Sequence, residues 1–180
     1  EPDLGKIHQP EGIESSVFHD KEVSSTDVSL MLVRPHEEKP DTVATRAELM
    51  PLAIAHAILD RRFERISKEK DSPVANGSAS RMALFNSIEL GSIDVTAAAD
   101  RWKEVVPTIE REFRRAMEHG FTDAELAEAK SNLLNAYEQR VKQKPSRKSE
   151  GIASALASSI NDKDVFSSPE TDLEIAKRNL

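Results

Sequence analysis

Zinc chemistry would need histidines at helical spacing, and the histidines of this chain do not provide it. A helical zinc site has two histidines four residues apart, as in H-E-x-x-H or its inverse H-x-x-E-H. No pair here has that spacing, the five residues being His8, His19, His36, His56 and His119. The run His8-Gln9-Pro10-Glu11 imitates the start of the inverse motif, but no second histidine follows and Pro10 disfavours a helix. The sequence therefore predicts no metal ligands in this chain.

The other reactive residue types also lack the arrangements that support catalysis. The chain contains no cysteine, no G-x-S-x-G and no phosphate-binding loop. Ser67-Lys68-Glu69-Lys70 matches S-x-x-K, but the S-D-N and K-T-G partners of that motif are missing. No carboxylate lies in an apolar context that would tune it as an acid or base. We predict no catalytic residue, and substrate-binding residues stay unknown.

Two histidines and one basic run have structural explanations. His56 lies among apolar residues of a helical pattern, where a packed or partly exposed side chain is expected. His119 precedes Gly120 at a helix end, where a protonated imidazole favours the helix dipole. The run Arg61-Arg62-Phe63-Glu64-Arg65 is balanced by nearby acidic residues. We interpret it as ion-paired helix surface, with a contact to a peptide carboxylate as the alternative.

Composition excludes several classes of function. The formal net charge is −7, and the interleaved charges form no basic stripe of the kind that binds nucleic acid. No apolar run approaches the ~20 residues needed to span a bilayer. We therefore predict neither nucleic-acid binding nor a membrane span. Because the sequence lacks an initiator Met and stops within a helical pattern, we expect a piece of a larger protein, with a processed mature chain as the alternative.

Strands are predicted on both sides of a long helix. Residues 1–12 lack an apolar period and are predicted to be a linker or tail. The predicted strands are Ile13–Phe18, Asp27–Arg34, Val74–Leu84 and Phe85–Val95. The second is apolar enough on both faces to lie inside a sheet. Asn76-Gly77 is a hairpin signal, but the weak alternation around it gives it little weight.

Five helices are predicted from apolar spacing and capping residues. They run from Asp41 or Thr42 to about Lys70, from Asp100 to His119, from Thr122 to Lys144, from Ser149 to Ile160, and onward from Ser168-Pro169-Glu170. Pro51 predicts a kink or a restart in the first. Together with the strands, they predict an α+β fold. It has two layers, a mostly antiparallel sheet with long helices packed on one face, and further C-terminal helices.

The helical patterns also predict which side chains are buried. The stripe expected for the second helix is Trp102, Val105, Val106, Ile109, Phe113, Ala116 and Met117, with Trp102 and Phe113 as core anchors. The third helix is expected to face inward with Leu126, Leu133, Tyr137 and Val141. The apolar stripe of the fourth is formed by Ile152, Leu156 and Ile160.

The corner between the second and third helices consists almost entirely of stop and start signals. Gly120 can end a helix in the left-handed conformation. Thr122 and Glu125 have the spacing of a capping box, and Phe121 and Leu126 that of a hydrophobic staple. The local sequence therefore predicts a well-defined helix-helix corner.

The sequence of this corner is an arginine-rich helix followed by Gly-Phe-Thr and Glu-Leu-x-x-Ala-Lys. It resembles the pitrilysin/insulinase family of zinc metallopeptidases, especially its bacterial members. Three earlier segments agree with that family in the same order. They are residues 23–34 after the turn Asp20-Lys21-Glu22, the long helix from Arg46-Ala47-Glu48-Leu49 to Ile66, and Ser72-Pro73-Val74. The resemblance covers roughly residues 13–144.

The resemblance implies a place in a larger enzyme. In that family a first α+β unit carries H-x-x-E-H and a distant Glu that bind zinc, and a second unit of similar fold lacks them. This chain resembles the later part of such a metal-free second unit. Residues 13–144 would be the α+β unit, and 145–180 a helical extension into the next domain. Zinc is expected in the first domain of the parent protein, since no positions here match its ligands.

The function implied by the resemblance is that of a non-catalytic segment of a zinc metalloendopeptidase, walling its peptide-binding chamber. The implied partners are other domains of the same polypeptide and the peptide substrate. The alternative is a scaffold or interaction module from a family member that has lost catalysis, and H-x-x-E-H upstream in the full-length sequence would decide between the two. The residues leave the compartment unknown, whereas a bacterial parent favours a periplasmic or otherwise extracytoplasmic location.

Overall fold

A small antiparallel sheet and five α-helices make up most of the part of the chain that the structure describes. The computed structural model describes residues 11–23, 25–98 and 100–180. Within them the elements are β1 (Thr26–Pro35), α1 (Val43–Ser67), β2 (Val74–Leu84), β3 (Ile88–Ala97), α2 (Trp102–His119), α3 (Asp123–Gln143), α4 (Ser149–Asp162) and α5 (Pro169–Asn179). The predicted α+β class is confirmed. Most of the predicted linker, residues 1–12, lies outside the described residues.

These elements belong to two compact units. One contains the described residues up to Glu37 together with Leu59–Gly120, and the other contains Glu38–Ile58 and Phe121–Leu180. The sheet and α2 belong to the first unit, α3 to α5 belong to the second, and α1 contributes to both. The domain division at residue 144 is taken from the family resemblance and stays a prediction.

The sheet has the strand order β1-β3-β2, and both pairings are antiparallel. Strands β2 and β3 form a hairpin whose turn residues Phe85 and Asn86 have φ values of +53° and +50°. Two consecutive left-handed residues are typical of a type I′ turn, whose twist matches that of the strands it joins. The Asn76-Gly77 pair lies inside β2 instead.

Gly77 allows α1 to approach β2 closely. A Cβ atom on Gly77 would lie 2.8 Å from Cγ of Phe63 and 3.1 Å from Cγ2 of Val95. Phe63, on α1, is wholly buried. The pairing of β2 with β3 is irregular between Val74 and Asn76, immediately before the glycine. A glycine within a strand commonly marks such a bulge or close approach, which explains why this pair is not a turn.

The two faces of the sheet differ in polarity. Ala79, Ile93 and Val95 are buried on one face. The other face carries hydrogen-bonded polar pairs across the strands, Ser29 with Asp94, Ser80 with Ser92, and Thr96 with Asp27. One apolar and one polar face are what a two-layer arrangement requires, in agreement with the predicted fold.

One predicted strand is wrong. Ile13–Phe18 forms no regular structure, and its apolar side chains are exposed. Apolar residues stand only towards the ends of this segment, so it has no continuous apolar face to bury. Among the described residues, β1 pairs with β3 alone. The next prediction, a strand at Asp27–Arg34, is confirmed by β1.

Helix α1 begins as the sequence predicts and ends somewhat earlier. Oγ1 of Thr42 accepts a hydrogen bond from the N–H of Thr45 at 3.1 Å, which identifies Thr42 as the N-cap. The helix continues through Pro51 without a restart and ends at Ser67 rather than near Lys70.

The buried stripe predicted for α2 is only partly correct, because Val105 and Ile109 are buried as expected but the buried face is rotated towards Thr108 and Glu112. The buried residues are Val105, Thr108, Ile109 and Glu112. The expected core anchors Trp102 and Phe113 are 38% and 41% exposed, and Val106 and Met117 are exposed too. Glu112 enters the buried face because it pairs with Arg62 of α1. A purely apolar pattern cannot reveal such a partner.

The predicted corner after α2 is confirmed in its main features. Oγ1 of Thr122 accepts the N–H of Glu125 at 3.3 Å, and a Glu125 carboxylate oxygen accepts the N–H of Thr122 at 2.9 Å, which completes the capping box. Phe121 and Leu126 both pack against the cluster formed by Ile54, Ile58 and Ala129. Gly120 has φ +67° as expected, but its ψ of −140° differs from the left-handed helical value.

The C-terminal helices match their predicted starts, but α4 buries less than expected. Leu133 and Tyr137 of α3 pack on the core formed by Met50, Ile175 and Ala176, as predicted for the inward face. Ser168 caps α5, with Pro169 at its first position. The stripe of α4 is exposed, contrary to expectation: Ile152, Leu156 and Ile160.

Two substitutions test whether the capping box and Gly120 stabilise the corner between α2 and α3. Thr122→Ala removes the acceptor of the capping box and should lower the free energy of unfolding by about 0.5–2 kcal/mol. Gly120→Ala should lower it by about 1–3 kcal/mol, because this combination of φ and ψ is adopted almost only by glycine. Denaturant titration of the 180-residue chain measures both effects.

Gly151→Ala is the matched control for Gly120→Ala. A Cβ atom has nothing within 4 Å at either position, so neither change creates a steric clash. Gly151 lies within α4, where alanine should stabilise by about 0.5–1 kcal/mol. Equal effects of the two alanines would contradict the backbone explanation.

Candidate functional site

The described histidines do not form a metal site. Within residues 11–23, 25–98 and 100–180, no three or more His, Cys, Asp or Glu side chains are grouped so that they could hold a metal ion. His56 is half-buried in α1, His119 is the last residue of α2, and His19 lies in an exposed segment. His8 falls outside the described residues. None of the helices in the described ranges has the length and apolarity needed to cross a bilayer.

A buried carboxylate on β3 is held by arginines of both neighbouring strands. Oε1 of Glu89 accepts hydrogen bonds from Nε (2.7 Å) and Nη2 of Arg34 on β1. Oε2 accepts one from Nη2 of Arg81 on β2. Arg34 lies directly opposite Glu89 in the register, and Arg81 is diagonal to it. Nδ1 of His36 lies 3.8 Å from Oε2. We refer to these four residues as the Glu89 cluster.

The arginines keep Glu89 ionised. The hydrogen bond from Arg81 has the largest effect, and the bond from Arg34 adds to it, so the pKa of Glu89 falls from 4.5 to about 2 although burial opposes the shift. A general acid or base works best with a pKa near the operating pH. The Glu89 cluster therefore joins all three strands at one end of the sheet, with Glu89 ionised near neutral pH.

Sequence reasoning missed the Glu89 cluster, although one signal was present. Arg34 follows Leu30 and Leu32 in the alternation of β1, so it is a charged residue on the apolar face of its strand. Such a position calls for a partner of opposite charge. The identity of that partner depends on strand order and register, which the local sequence does not give.

A second ion pair lies deep in the same unit. Nη1 of Arg62 on α1 and Oε2 of Glu112 on α2 are 3.8 Å apart, and both side chains are almost wholly buried. Arg111 and Arg115 flank the same carboxylate from the exposed side of α2. Nη2 of Arg62 also donates to the carbonyl oxygen of Gly120 at 3.4 Å, linking α1 to the end of α2.

The predicted ion-paired surface at residues 61–65 is therefore only partly correct. Arg61 and Lys68 do pair with Glu64 on the exposed side of α1. Their hydrogen bonds, led by that of Lys68, lower the pKa of Glu64 to about 2. Arg62 is the exception, because it is drawn into the core by Glu112.

In the second unit, Arg46 joins three segments of chain. Its Nε donates to Oδ1 of Asp41 at 2.7 Å, its Nη1 to Oδ1 of Asp172 at 3.0 Å, and its Nη2 to the carbonyl oxygen of Val165 at 2.7 Å. The hydrogen bond from Arg46 lowers the pKa of Asp41. Burial, reinforced by the charge of Asp41, raises the pKa of Asp164. This network fastens the start of α1 to the start of α5.

Comparison with solved structures identifies the fold. The first half of the periplasmic protease PqqL from Escherichia coli matches with a TM-score of 0.78 and 24% identity, over 88% of this chain and 34% of that one. The structure of PqqL matches with a TM-score of 0.75 and 24% identity, over 89% of this chain and 18% of that one. A predicted insulinase family protease from Yersinia pestis gives a TM-score of 0.70 at 12% identity, over 89% and 34%.

The chain thus has a pitrilysin/insulinase-like fold, as the sequence resemblance predicted. It spans about a third or less of each of these chains. No protein-family model and no curated protein sequence matches it.

The Glu89 cluster makes stability depend on acid pH. Because the pKa of Glu89 is lowered on folding, its ionised form stabilises the fold above pH 4.5, and this contribution disappears as pH falls through about 2. Glu89→Gln should lower the free energy of unfolding at pH 7 by about 1–3 kcal/mol. The difference from wild type should shrink between pH 4.5 and 2.

Glu110→Gln is a matched control, since Glu110 pairs with Arg114 on the exposed surface of α2. Its effect should stay within about 1 kcal/mol. A difference between wild type and Glu89→Gln that is constant over the whole acid range would show that the loss is not due to the charge.

The pair of Arg62 and Glu112 should behave as one unit. Arg62→Met or Glu112→Leu alone leaves a charged group in the core and should cost about 3–5 kcal/mol. The double variant should cost less than the sum of the two, with a coupling of about 0.5–3 kcal/mol. Denaturant titration of all four proteins gives the coupling, and strict additivity would contradict a direct interaction.

Proposed function

We propose that this chain is a non-catalytic segment of a zinc metalloendopeptidase, and that it walls the peptide-binding chamber while a separate domain carries the zinc. The observation that carries the proposal is the backbone agreement with the first half of a periplasmic protease, at a TM-score of 0.78 over 88% of the chain. The corner from Gly120 to Lys130, which resembles the same family in sequence, supports it independently.

The charged groups of the described residues suit a supporting role. Glu89 is engaged by two arginines, Glu112 by Arg62, and Asp172 by Arg46. Each of these contacts fastens one strand or helix to another, which gives a wall its rigidity. Peptide hydrolysis by zinc needs three protein ligands and an open position for water. The proposal assigns those ligands to the first domain of the longer protein.

The partners in this proposal are other domains of the same polypeptide and a peptide substrate. A periplasmic or otherwise extracytoplasmic location is part of the proposal, supported by the description of PqqL as a periplasmic protease. The scaffold alternative shares the same fold, and metal content and activity of the longer protein separate the two.

The proposal predicts that zinc and peptidase activity belong to the longer protein and not to the 180-residue chain. The longer natural protein should contain stoichiometric zinc after dialysis and cleave a fluorogenic peptide. The 180-residue chain should contain substoichiometric zinc and cleave nothing. Metal analysis and a cleavage assay on both proteins provide the comparison.

One substitution in the proposed zinc-binding domain and one in the 180-residue segment provide the control for this comparison. Replacing a histidine of the upstream H-x-x-E-H motif should remove both zinc and activity, whereas His119→Gln should leave both unchanged. Tight one-to-one zinc binding by the 180-residue chain would contradict the proposal. A folded longer protein without zinc or activity would favour the scaffold alternative instead.

A further inference from the structure

Strand β1 has an open edge. It pairs with β3 on one side, and no described residue pairs with it on the other. The N–H of His36 donates to the carbonyl oxygen of Ser87 at 2.8 Å, which extends the β1–β3 register by one position. Hydrogen-bonded and non-bonded pairs alternate in an antiparallel ladder. The even-numbered residues of β1 therefore bond to β3, and the backbone groups of Ser29, Met31 and Val33 point to the open edge.

This edge is unusually apolar for one in contact with water. Leu30, Met31 and Leu32, at the centre of β1, are 40%, 53% and 60% exposed. Edge strands are normally protected by central charges, prolines, bulges or a covering element. In β1 the charges and the proline stand only near its ends, at Asp27, Arg34 and Pro35. The centre of the strand therefore has the composition of an interior strand.

Helix α2 adds apolar surface in the same unit. It contacts β1 and β3, and it buries only the face that carries Val105 and Ile109. Beside that face, a second row of apolar side chains is exposed: Trp102, Val106, Phe113 and Met117. A sheet and a helix thus both present more apolar surface than the described residues cover.

We propose that the open edge of β1 receives a β-strand from the part of the longer protein outside these 180 residues. The solved chains of this fold supply ample further polypeptide, since this chain spans 34% of one half-protease and 18% of PqqL. The incoming strand pairs with the backbone groups of Ser29, Met31 and Val33. Its side chains alternate, apolar on the face of Leu30 and Leu32 and polar on the face of Asp27 and Ser29.

The inference uses the proposed function only in taking the chain to be a segment of a longer protein, and its test does not involve proteolysis. Hydrogen exchange of single amides in β1 measures which side of the strand is paired. In the 180-residue chain, Ser29, Met31 and Val33 should exchange about a hundredfold faster than Leu30 and Leu32. In the longer natural protein, all five should be protected alike.

Each other outcome overturns the proposal. Fast exchange of Met31 and Val33 in the longer protein would mean that no strand is added there. Protection of these amides in the 180-residue chain would assign the edge to another occupant. That occupant would be a second copy if light scattering shows a dimer, and the chain itself if it shows a monomer.

A pair of substitutions provides a second readout. Leu32→Lys places a charge where the added strand would pack, so it should lower the thermal midpoint of the longer protein and leave that of the 180-residue chain nearly unchanged. Met82→Lys is the control, because Met82 is also half-exposed but lies on the other edge strand, β2. An effect of Leu32→Lys in the longer protein no greater than that of Met82→Lys would overturn the proposal.

Discussion

The contact of the Phe63 ring with the backbone of Gly77 sets the distance between α1 and the sheet. The ring occupies the space that any other residue at position 77 would fill with its Cβ atom. Val95 closes the contact from β3, and two other large, wholly buried side chains, Val74 and Val105, belong to the same unit. A larger residue at position 77 would separate the layers and disturb each of these contacts.

Buried charges then fix how the strands and helices are aligned on this core. Glu89 lies on the same face of β3 as Val95, so its carboxylate needs cations at that face. Arg34 and Arg81 meet this need in one register only, because a shift of one residue would move either side chain to the polar face. The pair of Arg62 and Glu112 similarly selects which side of α2 packs inward. These contacts specify alignment, and apolar burial supplies the main driving force.

Features with local causes were predictable from the sequence, and features with distant causes were not. The caps at Thr42, Thr122 and Ser168 depend on residues within one turn, so the sequence predicted each helix start. Which face of α2 is buried depends on Arg62, which is distant in sequence. The apolar pattern alone therefore predicted, wrongly, that Trp102 and Phe113 are buried. The Glu89 cluster depends on strand register in the same way.

The type I′ turn at Phe85 and Asn86 has a consequence for the order of folding. It brings β2 and β3 together through contacts between residues as close in sequence as Arg81 and Glu89, |i−j| = 8. Strand β1 reaches β3 across much longer separations, such as |i−j| = 55 for Arg34 and Glu89 and 69 for Asp27 and Thr96. Closing a short loop costs less chain entropy than closing a long one. We therefore expect the hairpin of β2 and β3 to form before β1 pairs with β3.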